Sequence, residues 1–161
     1  MLVFRYLKST LLGLIQSNPE FPTGARKKIL RQVGEAIQEL HNKDWVHLGI
    51  SPYLEDDRMK ISGADLHDLA DVKPDNVLVN CEPNIEEGDD TVVDAVLGDF
   101  DLALKLENAK PCHTPYAIGN VMWRSPEGQT ARGMTKASDI YSFGLMVSEP
   151  CSKIRVTLIS A

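Results

Sequence analysis

The sequence has no apolar run near the roughly 20 residues that a bilayer-spanning helix needs. Cysteine is scarce: Cys81, Cys112 and Cys151 are far apart and odd in number. That excludes a disulfide framework and a zinc spacing, and a reducing compartment is the simplest setting. The four histidines, His41, His47, His67 and His113, show no ligand-pair spacing. Basic residues are in deficit, with 17 Lys and Arg against 23 Asp and Glu, a net charge of −6. No basic patch supports a nucleic-acid partner. Repeats and low-complexity tracts are absent. The N-terminal MLVFRYLKSTLLGLIQ is broken by Arg5 and Lys8 and lacks a small-residue cleavage site, so it reads as structural and not as a targeting or membrane signal.

What is present is ordinary for a soluble chain: 161 residues, 43% hydrophobic and 25% charged. That length suffices for a buried core. The acidic excess is local. Residues 82–94 carry Glu82, Glu86, Glu87, Asp89, Asp90 and Asp94 and no base, the pattern of a solvated loop.

Patterning gives an α+β reading. Residues 1–7 form an apolar strand candidate, followed by a short helix through LLGLIQ capped by Ser9 or Thr10. Residues SNPEFP break it. Thr23 is a candidate cap for a long helix ending near His41–Asn42. Ile29, Leu30, Val33, Ile37 and Leu40 lie at helical spacing there, with Lys27, Lys28 and Arg31 opposite. Trp45–Val46 reads as a short strand. Residues 77–80 and 92–97 read as a hairpin joined by the acidic segment. Residues 107–125 are irregular. Residues 136–146 read as a helix with Ile140, Phe143 and Gly144 available for packing.

The chemistry concentrates in Asp71-Val-Lys-Pro-Asp-Asn76 and in Gly98-Asp99-Phe100-Asp101. Two acids and an amide at strand or loop ends suit Mg²⁺ shared with phosphate oxygens, because Mg²⁺ takes oxygen ligands and few carboxylates. The alternative is a turn with incidental polar residues. The order LHNKDWVH, DVKPDN, GDF, GNVMWRSPE, SDIYSFG resembles the C-terminal lobe of eukaryotic serine/threonine protein kinases, the fungal members especially.

That resemblance implies ATP and Mg²⁺ as cofactors, a protein substrate with a Ser/Thr hydroxyl and an intracellular, cytoplasmic or nuclear, setting. Asp71 matches the catalytic-loop aspartate that accepts the hydroxyl proton, and Lys73 the lysine that steadies the transferring phosphate. Asn76 matches the ligand of the second metal ion, and Asp99 the aspartate on the bridging Mg²⁺. Residues 1–7 match the last first-lobe strand and hinge, placing Phe4 and Tyr6 at the nucleotide, with Phe4 guarding the pocket. Asp139 matches the aspartate that tethers the catalytic loop's backbone, and Pro126 and Glu127 the end of the activation segment.

Several positions depart from the family pattern. Leu48 replaces the arginine that pairs with a phosphorylated activation loop, so Thr114, Tyr116 and Ser125 read as ordinary loop hydroxyls. Asp101 replaces a glycine and Asn120 a threonine. The Gly-rich phosphate loop and its ion-pairing Lys and Glu are missing. So is the arginine partner of Glu127, which leaves that carboxylate unpaired by expectation.

Residues 49–70 separate His47-Leu48 from Asp71, which the resemblance makes consecutive. The segment reads as a translated, unspliced intron: Gly49 as GGT supplies a donor, and Ala70 as GCA joined to the G of Asp71 supplies an acceptor. The alternative is a surface insertion, which loop-closure entropy tolerates. Residues 147–161 read as a non-family tail, since Val147-Ser148 as GTAAGT is again a donor. The chain is therefore expected to be a fragment running from the hinge through residues 23–48 and 71–146. It is either a kinase part inactive alone, a pseudokinase-like binding module or an unstable gene-model product. The intron reading predicts transcripts with junctions that remove the codons of residues 49–70 and leave at residue 147. Reads that cross both points unbroken refute it.

Overall fold

The computed structural model describes residues 6–18, 22–47, 72–84, 89–100, 103–107, 110–111, 121–130 and 132–148. Residues 1–5, 49–70 and 149–161 lie outside them, and with them most of the hinge strand, the whole interruption and nearly all of the tail. Tyr6 and Leu7 are irregular, and the first strand is β1 (Ser9–Thr10).

The Thr10 hydroxyl accepts the Gly13 N–H at 3.1 Å and caps α1 (Leu11–Ser17), as its position before the apolar run predicts. Leu11, Leu14 and Ile15 form the buried face of α1. Helix α2 (Thr23–Asn42) buries Ile29, Val33 and Ile37 and leaves Lys27, Lys28 and Arg31 exposed. Thr23 is its first helical residue and not its cap. Pro22 stands at the cap with φ −56° and no side-chain bond, its ring presetting the entry. The helix stops at Asp44, which takes a left-handed φ of 60° and bonds its N–H to the His41 carbonyl at 3.1 Å.

Strand β2 (Trp45–Val46) follows. A single 3-10 turn (Pro74–Asn76) leads into β3 (Val77–Asn84), which pairs antiparallel with β4 (Asp89–Leu97). The register runs from Val77↔Leu97 to Asn80↔Asp94, then shifts between Asn80 and Cys81, a bulge that alternation alone does not reveal. β1 adds to the other side of β3, and β2 pairs with β5 (Leu104–Lys105). The hairpin is longer than its apolar stretches predict. Glu82, Asp89, Asp90 and Asp94 lie in strands and not in a loop, while Glu86 and Glu87 fall outside the described residues. Helices α3 (Pro126–Gln129) and α4 (Lys136–Ser148) are the last elements among the described residues, an α+β arrangement.

The core lies between α1, α2 and one face of the sheet. Alternation puts Val77, Val79, Ala95 and Leu97 on that face, against Ile29, Val33 and Ile37. Gln32 of α2 accepts the Ala95 N–H at 2.9 Å and so occupies an outward donor of the edge strand. α4 docks differently from expectation. Phe143 packs on α2 at Gly34, where a Cβ would stand 3.4 Å from its ring. Ile140 and Gly144 face solvent, and the buried side carries Ser138, Asp139, Ser142 and Met146. The helix is thus seated by polar contacts. No helix among the described residues is long and apolar enough to cross a membrane.

Ile37 is fully enclosed in this core, so Ile37→Ala is expected to lower unfolding free energy by about 2–5 kcal/mol. Urea denaturation followed by tryptophan fluorescence measures it.

Candidate functional site

Two turns make the site. In the first, Val72, Pro74 and Asn76 point inward while Asp75 faces out and Lys73 is half-buried. Proline prevents a longer helix, and the Asn76 N–H closes the 3-10 turn on the Lys73 carbonyl at 3.0 Å. Helix α1 packs against this turn and holds it from beneath. The second turn follows β4, at Gly98 and Asp99.

Gly98 joins the two. Its N–H donates to the Asn76 carbonyl at 2.7 Å, and its carbonyl accepts the His47 Nε2–H at 2.7 Å. A Cβ here would crowd a Leu78 methyl at 3.3 Å and stand in ordinary contact, 3.5 Å, with the Asn76 carbonyl. Asp99 comes next, exposed and at a left-handed φ of 61°. A non-glycine residue holds that region only when its surroundings fix it, and such residues cluster at functional sites.

His47 is fully buried, and Phe100 lies edge-on to its ring at 5.1 Å while remaining 47% exposed. Its backbone N–H donates to Asp139 Oδ2 at 2.9 Å, the tether that the sequence assigned to Asp139. The same oxygen accepts from His41 Nε2 at 2.8 Å. His41 was absent from the sequence-derived site. An aspartate on the buried side of a helix demands donors, which is the signal that points to it. The histidines do converge, on a carboxylate and not on a metal.

The end of α3 is also tied to α4. The Ser138 hydroxyl donates to Glu127 Oε1 at 2.6 Å and accepts the Thr135 N–H at 3.1 Å. Glu127 is therefore not unpaired, contrary to expectation. Burial raises its pKa, and hydrogen bonds from Ser138, its own backbone N–H and Ser125 outweigh that, leaving it below the ordinary glutamate value. Ser142 donates to the Trp123 carbonyl at 2.7 Å, so α4 holds the turn before α3 as well. Outside these contacts, Lys136 bonds Asp44 at 2.7 Å, which lowers the Asp44 pKa, but the pair is exposed and contributes little to stability.

The structure therefore links the turns of Asn76 and Asp99 by the backbone bond from Gly98 to the Asn76 carbonyl, with Lys73 on the first turn. Asp71, Phe4, Leu48, Asp101 and Asn120 lie outside the described residues, and Tyr6 is 82% exposed. An amide and a carboxylate offer oxygen to a hard cation. No group of three or more His, Cys, Asp or Glu among the described residues gathers to hold a metal alone. A cation here would need oxygens from a ligand, which is how Mg²⁺ is held beside phosphates.

The sequence profile of the family described as "Protein tyrosine and serine/threonine kinase" matches residues 67–158. The chain belongs to the protein kinase family. The matched span begins inside the interruption and ends inside the tail. Similar kinases include L-type lectin-domain containing receptor kinase S.1 of Arabidopsis thaliana, 29% identical over 155 residues, 94% of this chain and 19% of that protein. Lectin-domain containing receptor kinase VI.4 of Arabidopsis thaliana is 32% identical over 155 residues, 92% of this chain and 18% of its own length. Serine/threonine-protein kinase PrkC of Bacillus subtilis (strain 168) is 26% identical over 149 residues, 92% and 18%. The chain thus spans about a fifth of the length of the curated relatives it matches first.

The depressed pKa of Glu127 carries a pH signature. The carboxylate stabilises the fold above its unfolded pKa, and that contribution is lost as pH falls through the folded value. Glu127→Gln is expected to be less stable than the parent at pH 7, with the difference shrinking below about pH 4. Urea melts at both pH values test this.

Proposed function

We propose that this chain is the metal-holding part of a serine/threonine protein kinase's C-terminal lobe, acting on protein hydroxyls with ATP and Mg²⁺. The observation that carries the reading is the Gly98 junction, which sets Asn76 beside the turn of Asp99. In the proposed transfer, Asp71 accepts the proton of a Ser or Thr hydroxyl as its oxygen bonds to the γ-phosphorus. The bond from the γ-phosphorus to the bridging oxygen breaks, and ADP leaves. Lys73 steadies the transferring group, while Asn76 and Asp99 hold the metal. Mg²⁺ supplies charge neutralisation at the phosphate oxygens.

The base has a candidate platform. Leu78 and Val96 are cross-strand neighbours on the hairpin face turned away from the core, half-buried and exposed respectively. Phe4 and Tyr6 remain the proposed hinge contacts. The sequence contains no G-x-G-x-x-G element to close over the phosphates. The chain alone is therefore proposed to bind Mg-ATP weakly and to transfer little or no phosphate. A fungal affiliation rests on motif wording alone, and an intracellular setting on the family resemblance.

A second reading, a non-catalytic pseudokinase-like module, is favoured by the apolar stripe Ile140, Tyr141 and Val147 exposed on α4. The two separate on one experiment with purified chain. Mn²⁺–ATP binding followed by electron paramagnetic resonance should be measurable and fall at least about tenfold in Asp99→Asn. No binding by the parent chain refutes the metal-holding reading and leaves the module. Phosphotransfer to a generic protein that Asp71→Asn abolishes refutes the proposed inactivity.

A further inference from the structure

We infer that Asp75 selects protein substrates that carry an arginine close in sequence to the accepting hydroxyl. This rests on the metal-holding reading for the place of the acceptor, and deepens it by naming a substrate class. Val72, Pro74 and Asn76 are buried, while Asp75 faces solvent between the last two. An aspartate in a turn ordinarily accepts a backbone N–H two residues on. That donor is occupied here, because the Val77 N–H bonds the Pro74 carbonyl. The Asn76 N–H is likewise taken, by the Lys73 carbonyl at 3.0 Å. Among the described residues the Asp75 carboxylate has no hydrogen bond and no ion pair. The 3-10 turn is three residues long, too short for a helix dipole to account for the acid. The fold therefore makes no use of this charge.

Its position gives the charge a use. Asp75 is two residues from Lys73, about 7 Å at most along the backbone. An extended peptide advances about 3.3 Å per residue. A substrate whose hydroxyl lies at Lys73 therefore brings a side chain about two residues away alongside Asp75. A guanidinium suits that place. It meets a carboxylate with two parallel N–H bonds, stays charged at any working pH and is less strongly hydrated than an ammonium. The whole chain adds to the attraction: 23 acidic against 17 basic residues draw a basic peptide and repel an acidic one. Asp75 faces out where Asn76 faces in, which sets it apart from the proposed metal ligands.

The test uses the purified full chain and fluorescein-labelled serine peptides that differ only in Arg, Ala or Glu placed two residues from the serine on both sides. Fluorescence anisotropy at low ionic strength is expected to show the Arg peptide binding about fivefold more tightly than the Glu peptide, with the Ala peptide between. Asp75→Asn should bring the three within about twofold of one another. Glu35→Gln removes the same charge from the exposed face of α2 and should leave the preference intact. Mn²⁺–ATP affinity in Asp75→Asn should stay within about twofold of the parent. No preference in the parent overturns the inference, as does one that survives Asp75→Asn or falls equally in Glu35→Gln. Loss of Mn²⁺–ATP affinity in Asp75→Asn would make Asp75 a metal ligand, and a lowered urea midpoint would give it a structural role; either overturns the inference. Failure of the parent to bind Mn²⁺–ATP refutes the metal-holding reading, while the peptide arm still rules on Asp75.

Discussion

Everything at the site depends on the peptide units flanking Gly98. One side donates to Asn76, and the other accepts from a buried histidine ring, each at 2.7 Å. A Cβ at Gly98 would press on a Leu78 methyl at 3.3 Å, which would have to give by a few tenths of an ångström. The left-handed Asp99 follows directly, so its unfavourable backbone is held by bonds made one residue earlier. The Gly98 peptides thus link two sequence-distant turns by their backbones. The turns lie at the start of β3 and the end of β4, and Asp139 of α4 holds the His47 backbone.

The division of labour between elements is physical. α1, α2 and the hairpin meet through aliphatic faces, whose attraction is non-directional. α4 joins that core through Met146, Phe143 and Leu145, while its hydroxyls and the Asp139 carboxylate hold Glu127, the Trp123 carbonyl and His47 at particular distances. The apolar part makes a stable platform. The polar part decides where His47 and the α3 segment sit.

Much of this was legible from residue order. Helical spacing in α2, the Thr10 cap, the Trp45–Val46 strand and the paired strands before Asp99 follow from local propensity and period, which the tertiary structure leaves intact. The family resemblance implied a tethering role for Asp139, and its carboxylate accepts the His47 N–H. Periodicity failed where tertiary contacts override it. Ile140 and Gly144 looked like packing positions, yet α4 turns its serines inward because Glu127 and the Trp123 carbonyl need donors. The acidic stretch looked like a loop because charge hides strand pairing that backbone bonds alone sustain. His41 was invisible because its partner lies 98 residues away.

The same separation has a bearing on how the chain is made. The hairpin, α1 and α2 find their apolar partners before α4 exists, since synthesis delivers the N-terminal side first. The Asp139 bond to His47 closes over 92 residues, and contacts of such span form late because chain entropy must be lost before they repay it. A nascent chain halted before Lys136 would therefore hold a collapsed platform whose His47 amide has no acceptor. The Asp139 tether therefore closes after the apolar platform has formed, and α4 delivers it.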